Sequence, residues 1–72
     1  MMLYVIATGE IDDVWYLADM YDEVIDGNKK RTFYWSKNDY ISFKTEFEAK
    51  QFIKEENIKR ARWVVPTGIY LL

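Results

Sequence analysis

Met2 to Thr8 (MLYVIAT) is a continuous apolar, β-branched run, the pattern of a strand buried on both faces. Gly9 to Asp13 predicts a turn, and Val14 to Tyr21 (VWYLADMY) a second strand. Regular alternation there would place Val14, Tyr16, Ala18 and Met20 on one face, with Trp15, Leu17, Asp19 and Tyr21 on the other. A hairpin is the cheapest way to join two strands over five residues. Asp22 to Lys30 holds an Asp26-Gly27-Asn28 turn signal followed by a basic knot. Arg31 to Ser36 (RTFYWS) has the aromatic and β-branched content of a third strand, which the polar cluster Ser36-Lys37-Asn38-Asp39 ends.

The pattern then changes period. Thr45-Glu46-Phe47-Glu48 fits a capping box, with Thr45 as N-cap and Glu48 reaching back to it. Glu46 and Glu48 also suit the positive end of the helix dipole. A helix is predicted over about 45–56, stopped by Asn57, with Ala49, Phe52 and Ile53 as its buried stripe. Glu46 and Lys50 form an i,i+4 pair in the favourable order. A rotation of 100° per residue leaves Phe47 on the far side of the helix, facing water, a loop or a partner. Ala61 to Val65 (ARWVV) predicts a fourth strand. Pro66-Thr67-Gly68 interrupts it, and Ile69 to Leu72 would be a resumed edge strand or a tail. The sum is α+β: a small, mostly antiparallel sheet of three to five strands with one helix packed on one face, forming a single domain over 1–72.

Composition narrows the function classes. With 50% apolar and 18% aromatic residues, the chain is too hydrophobic for a disordered tail. There is no Cys and no His, so disulfide frameworks, thiolate or imidazole metal sites, Cys nucleophiles and His-based triads are excluded. The absence of disulfides, of a basic leader before the first apolar run and of any stretch of roughly 20 apolar residues predicts a soluble, cytoplasmic protein. The net charge is only -2, but the charges are sorted. Residues 1–28 carry seven acids and no base, and residues 29–72 carry ten bases and five acids. That polarity would persist in space if the two halves fold to different faces.

Catalysis finds little support. Asp12/Asp13 and Asp22/Glu23 are adjacent carboxylates, but neighbours in a turn point apart, and no apolar pocket is evident to raise one pKa. No glycine spacing makes a phosphate cradle. Glu10, Asp12 and Asp13 lack the spacing of an oxygen cage for Mg²⁺ or Ca²⁺. The expectation is no enzyme, no metal and no cofactor.

Two binding classes remain. For nucleic acid, Lys29, Lys30 and Arg31 run into Phe33 and Trp35, and Arg60, Arg62 and Trp63 repeat the theme. Bases track phosphates, and rings stack on unpaired bases at roughly 1–3 kcal/mol each. A stacking platform would require Phe33, Trp35 and Trp63 to share the uncovered face; otherwise these rings are core, and the acidic first half opposes a polyanion. For protein binding, thirteen aromatic residues among 72 exceed what one helix and one sheet can hide, and Tyr, Trp and Arg dominate interface hot spots. Trp15, Tyr16, Asp19, Tyr21, Asp22 and Glu23 combine acids with aromatics, as suits a basic partner. Phe47 would be a helix anchor. Surplus aromatics and exposed sheet edges also predict a symmetric homodimer.

In LYVIAT (3–8), WYLADMYD (15–22), FYWS (33–36) and FKTEFEAKQFIKEEN (43–57) the chain resembles short accessory proteins carried by phages and mobile elements of staphylococci and related Gram-positive bacteria. The last segment carries their recurrent pattern: an aromatic residue, a Thr helix cap, then Glu-Ala and an apolar pair. The resemblance implies action inside an infected host cell as an inhibitor or modulator of a host or competing-phage protein. It supplies no catalytic residue.

Overall fold

A computed structural model describes residues 2–67, with elements β1 (Leu3–Glu10), β2 (Asp13–Ile25), β3 (Asn28–Ser36), α1 (Glu46–Glu56) and β4 (Trp63–Thr67). The strands make one open antiparallel sheet ordered β3-β2-β1-β4. The fold is α+β, as the pattern predicts. The segment Ile69–Leu72 lies outside the described residues.

β1 and β2 form the expected hairpin, but its turn shrinks to Ile11-Asp12, with Glu10 opposite Asp13. Gly9 is required beside it. Its φ is 99°, and a Cβ there would run into the Asp13 carbonyl oxygen. Only glycine takes that conformation without strain.

The second hairpin departs further from expectation. Ile25 lies opposite Asn28, so the turn is only Asp26-Gly27, with φ 51° and 78°. Two successive positive φ values give the primed turn that matches strand twist. Strand therefore occupies Asp22–Ile25 and Asn28–Lys30, where a loop was expected. The register explains it: Asp22 faces Arg31 and Glu23 faces Lys30, and opposite charges directly across a ladder attract.

At Ala18 the β2–β3 register shifts by one residue, a bulge that bends the strand. Here the hairpin parts from β1, and the chain after β3 enters the gap. The Ile41 N–H donates to the Leu17 carbonyl (2.9 Å), while Phe43 and Tyr4 exchange both backbone bonds (2.9 and 2.8 Å). The distal hairpin becomes an arm, with every residue from Tyr21 to Arg31 exposed. Its polar terminator behaves as predicted: the Ser36 hydroxyl accepts from the Asn38 and Asp39 amides at 3.1 and 3.2 Å.

α1 follows its sequence signals closely. The Thr45 hydroxyl accepts from the Glu48 amide at 3.0 Å, a cap contributing about 1 kcal/mol. Asn57 closes the helix in the left-handed region (φ 53°, ψ 52°), its amide donating to the Ile53 and Lys54 carbonyls. Glu46 pairs with Lys50 at 2.7 Å.

Ile6, Leu17, Ala49 and Ile58 form one buried cluster, with Phe33, Trp35, Phe43, Phe52, Ile53 and Val64 partly buried around it. Leu17 faces Trp35, Met20 faces Phe33 and Ile6 faces Val64, so these strand residues share one side of the sheet. Tilted stacking of Phe43 on Phe52, with centroids 5.3 Å apart, ties the inserted segment to α1.

β4 starts at Trp63 and runs through Pro66, two residues later than predicted. Proline is tolerated because β4 is an edge and Pro66 faces Tyr4. The Tyr4 N–H and C=O both bond Phe43 on the other side, so Pro66 occupies a position from which no ladder bond is missing.

Candidate functional site

The segregated charges are partly paired with each other in the fold. Antiparallel pairing brings the two halves of the sequence together. Asp22 bonds Arg31 at 2.6 Å, Asp13 pairs with Lys37 at 2.7 Å and Glu10 with Arg62 at 3.3 Å. Each pair joins an acid of residues 1–28 to a base of residues 29–72. Arg31 also reaches Glu56 of α1 at 3.0 Å and the Met20 sulfur at 3.4 Å. Lys37 holds the Asp13 carboxyl below its ordinary value, with a smaller contribution from a Trp15 hydrogen bond. The Asp22 carboxylate likewise pushes the Arg31 guanidinium upward. Both shifts favour the charged forms that exposed ion pairing requires.

The bulge at Ala18 decides which residues of the acidic–aromatic set meet. Regular alternation would leave Asp19 and Tyr21 on the side of Trp15 and Leu17. The extra residue reverses this. Asp19 faces Tyr34, Tyr21 faces Thr32 and Glu23 faces Lys30, so Asp19, Tyr21 and Glu23 join Tyr16 on the side opposite the buried cluster. Trp15 and Asp22 fall on the cluster side. Asp22 is committed to Arg31 there, and Trp15 lies 5.1 Å beneath the Lys37 ammonium. Glu23 accepts from the Thr32 hydroxyl. Tyr21 and Tyr34 are 50% and 55% exposed.

That side of the sheet continues onto the body as an apolar hollow of about 380 Å³, lined by Ala7, Ile11, Val14, Tyr16, Trp63 and Val65. Tyr40 meets Tyr16 edge-on at 6.2 Å and borders the neighbouring depression with Val5 and Val65. Ile11, at the turn beside the hollow, is 89% exposed. Sequence reasoning passed over Ile11, although an isoleucine between two acids in a tight turn was the available signal. Phe47 is 73% exposed, so the segment before α1 does not bury it. It lines a separate hollow with Phe43, Gln51 and Phe52.

The basic–aromatic set is also divided. Phe33 and Trp35 lie on the cluster side, whereas Trp63 faces Ala7 on the opposite side. The three-ring platform does not form. Arg62 is held by Glu10 and lies 5.4 Å over Trp63. Lys30, Arg31, Phe33, Trp35 and Arg60, however, line one groove, together with Lys59, which begins the same basic run as Arg60 and Arg62. Lys29 lies further out, near the tip of the arm, opposite Val24.

Among the described residues, no group of three or more Asp or Glu is gathered as a metal site, and no helix is long and apolar enough to cross a membrane. Comparison with models of protein families, with characterised proteins and with solved structures finds no match.

Proposed function

We propose that the protein is a non-catalytic binding module, with α1 covering one face of the sheet and the opposite face engaging another protein. The observation that carries this reading is Ile11, an almost fully exposed isoleucine beside an apolar hollow floored by Val14, Tyr16, Trp63 and Val65. An apolar side chain held in a tight turn costs solvation and gains nothing for the fold, but it suits a contact that excludes water. Tyr16, Tyr21 and Tyr34 extend the same face along the arm, and Tyr is a preferred interface residue.

The partner is a protein that presents an apolar side chain to the hollow and a Lys or Arg to Asp19. Asp12 and Asp19 on this face and its turn form no ion pair among the described residues, so two copies facing each other would oppose like charge. The sheet edges also carry their own protection: Pro66 on β4 and the Lys29-Lys30-Arg31 run on β3 discourage edge pairing. Both points favour a different protein over a symmetric homodimer. The role that fits is modulation of a host or phage protein in a host cell, which the resemblance to phage accessory proteins implies. Lys37 holds the exposed Asp13 carboxyl in its charged form, which leaves that group unsuited to donating a proton at neutral pH.

The test is parallel affinity capture with the wild type, Ile11→Glu and Phe47→Ala, followed by titration of the purified partner. The expected result is one stoichiometric partner, retained by Phe47→Ala and weakened at least about tenfold by Ile11→Glu. Identical capture by all three proteins overturns the assignment of the face. Sedimentation showing a dimer that Ile11→Glu dissociates overturns the choice of a different protein.

A further inference from the structure

We infer that the groove between β3 and the loop following α1 is a second, separate binding site, built for single-stranded nucleic acid. Three observations converge there. First, its rings form a strip. Phe33 and Trp35 alternate on β3, about 7 Å apart along the strand, and share one hollow with Trp15 and Arg60. Second, cations sit over those rings: Lys37 lies 5.1 Å from the Trp15 centroid and Arg60 5.7 Å from the Trp35 centroid. A guanidinium beside an indole places positive charge next to the ring.

Third, unpaired charge gathers here. Arg31, Lys37, Lys50 and Arg62 have carboxylate partners. Among the described residues Lys29, Lys30, Lys44, Lys54, Lys59 and Arg60 form no ion pair, and three of these six, Lys30, Lys59 and Arg60, line this groove. Glu23 is the one carboxylate in its lining. The loop that presents Lys59 and Arg60 is fixed in place: the buried Thr8 hydroxyl donates to the Arg60 carbonyl, and Ile58 is buried in the core cluster. Two cations on a loop whose backbone is already fixed, facing a strip of rings, leave only side-chain ordering to oppose phosphate and base contacts.

The chemistry selects the strand. A base must be unstacked to lie on Trp35 or Phe33, which a duplex does not offer. Single-stranded DNA and RNA share that chemistry. An acidic polypeptide would use the cations and leave the rings unused.

The experiment titrates the wild-type protein with oligo-dT and oligo-U of 15 nucleotides, reading tryptophan fluorescence and anisotropy at 50 and 200 mM salt. Abasic oligonucleotide, duplex DNA and poly-glutamate are competitors. Binding with fluorescence quenching is expected, weakening about 20-fold between the two salt concentrations if three phosphates are contacted. Lys59→Ala/Arg60→Ala should lower the salt slope by about 1.4, while Lys44→Ala/Lys54→Ala, an equal charge change elsewhere, should leave it unaltered. The relative strength of dT and U identifies the natural class. Absence of binding at 50 mM salt overturns the proposal. So does binding without quenching, equal loss in the two double variants, or competition by abasic, duplex or poly-glutamate ligand as strong as by oligo-dT. The wild-type comparison of oligo-dT with its abasic form needs no variant, so a substitution that unfolds the chain does not spare the proposal.

Discussion

The two halves of β2 are one continuous strand in two environments. Leu17, on the proximal half, is fully buried among Ile6, Ala49 and Ile58, whereas Val24, on the distal half, is 72% exposed. The proximal half is held by burial. The distal half is held by its partner strand: charges facing charges, a two-residue turn that accepts no other geometry, and a tether from Arg31 to Glu56. The same backbone conformation thus rests on different physical causes within thirteen residues, and the two halves should fail differently.

The largest expected effect separates burial from pairing. Leu17→Ala should cost about 2–5 kcal/mol, enough to unfold much of so small a domain, while Val24→Ala should stay within about 0.5 kcal/mol. Urea unfolding of the two variants checks this, and similar losses would abolish the distinction. Next come the two glycines at positive φ. Gly9→Ala adds a backbone collision to conformational strain and should cost about 3 kcal/mol or more. Gly27→Ala meets nothing within 4 Å and should cost only the left-handed backbone penalty, about 1–2 kcal/mol.

A smaller effect should be local to the arm. Arg31→Ala removes its tie to α1, and amide exchange from Met20 to Phe33 should accelerate while protection at Ile6 and Leu17 is unchanged. Smallest is a pH effect on the body. Because Lys37 lowers the Asp13 pKa in the folded state, this carboxylate stabilises the fold above its ordinary value of 3.8 and loses that contribution as pH falls through the lowered value. Stability curves of the wild type and Asp13→Asn should therefore differ at neutral pH and converge in strong acid. A constant offset down to the lowest pH would assign the difference to something other than this ion pair.

The same division explains what the sequence made legible. α1 could be read to within a residue because its cap, its stop and its Ala49-Phe52-Ile53 stripe are local signals. Helical period put Phe47 on the far side of the helix, but whether a loop would cover it was not legible; it is 73% exposed. The distal half of β2 could not be read: Asp22 and Glu23 have no apolar alternation, and their reason for being strand is Arg31 and Lys30 on another strand. The bulge at Ala18 is likewise a property of two strands in register, and it moved Asp19 and Tyr21 to the face that alternation denied them. Register also put Trp63 on the far side from Trp35, so the condition for a three-ring platform is not met. Charge sorting was plain in the sequence, yet its outcome, partial pairing of the two sets in the fold, depended on the same information.

The insertion of Ile41 and Phe43 beside β1 has one more consequence. These residues act as a spacer that keeps the first two strands from zipping together beyond Leu17, so the direction in which the arm leaves the body is governed by the length of the connection between β3 and α1. Adding or removing residues in this connection is expected to re-aim the arm without altering a side chain on either of its strands.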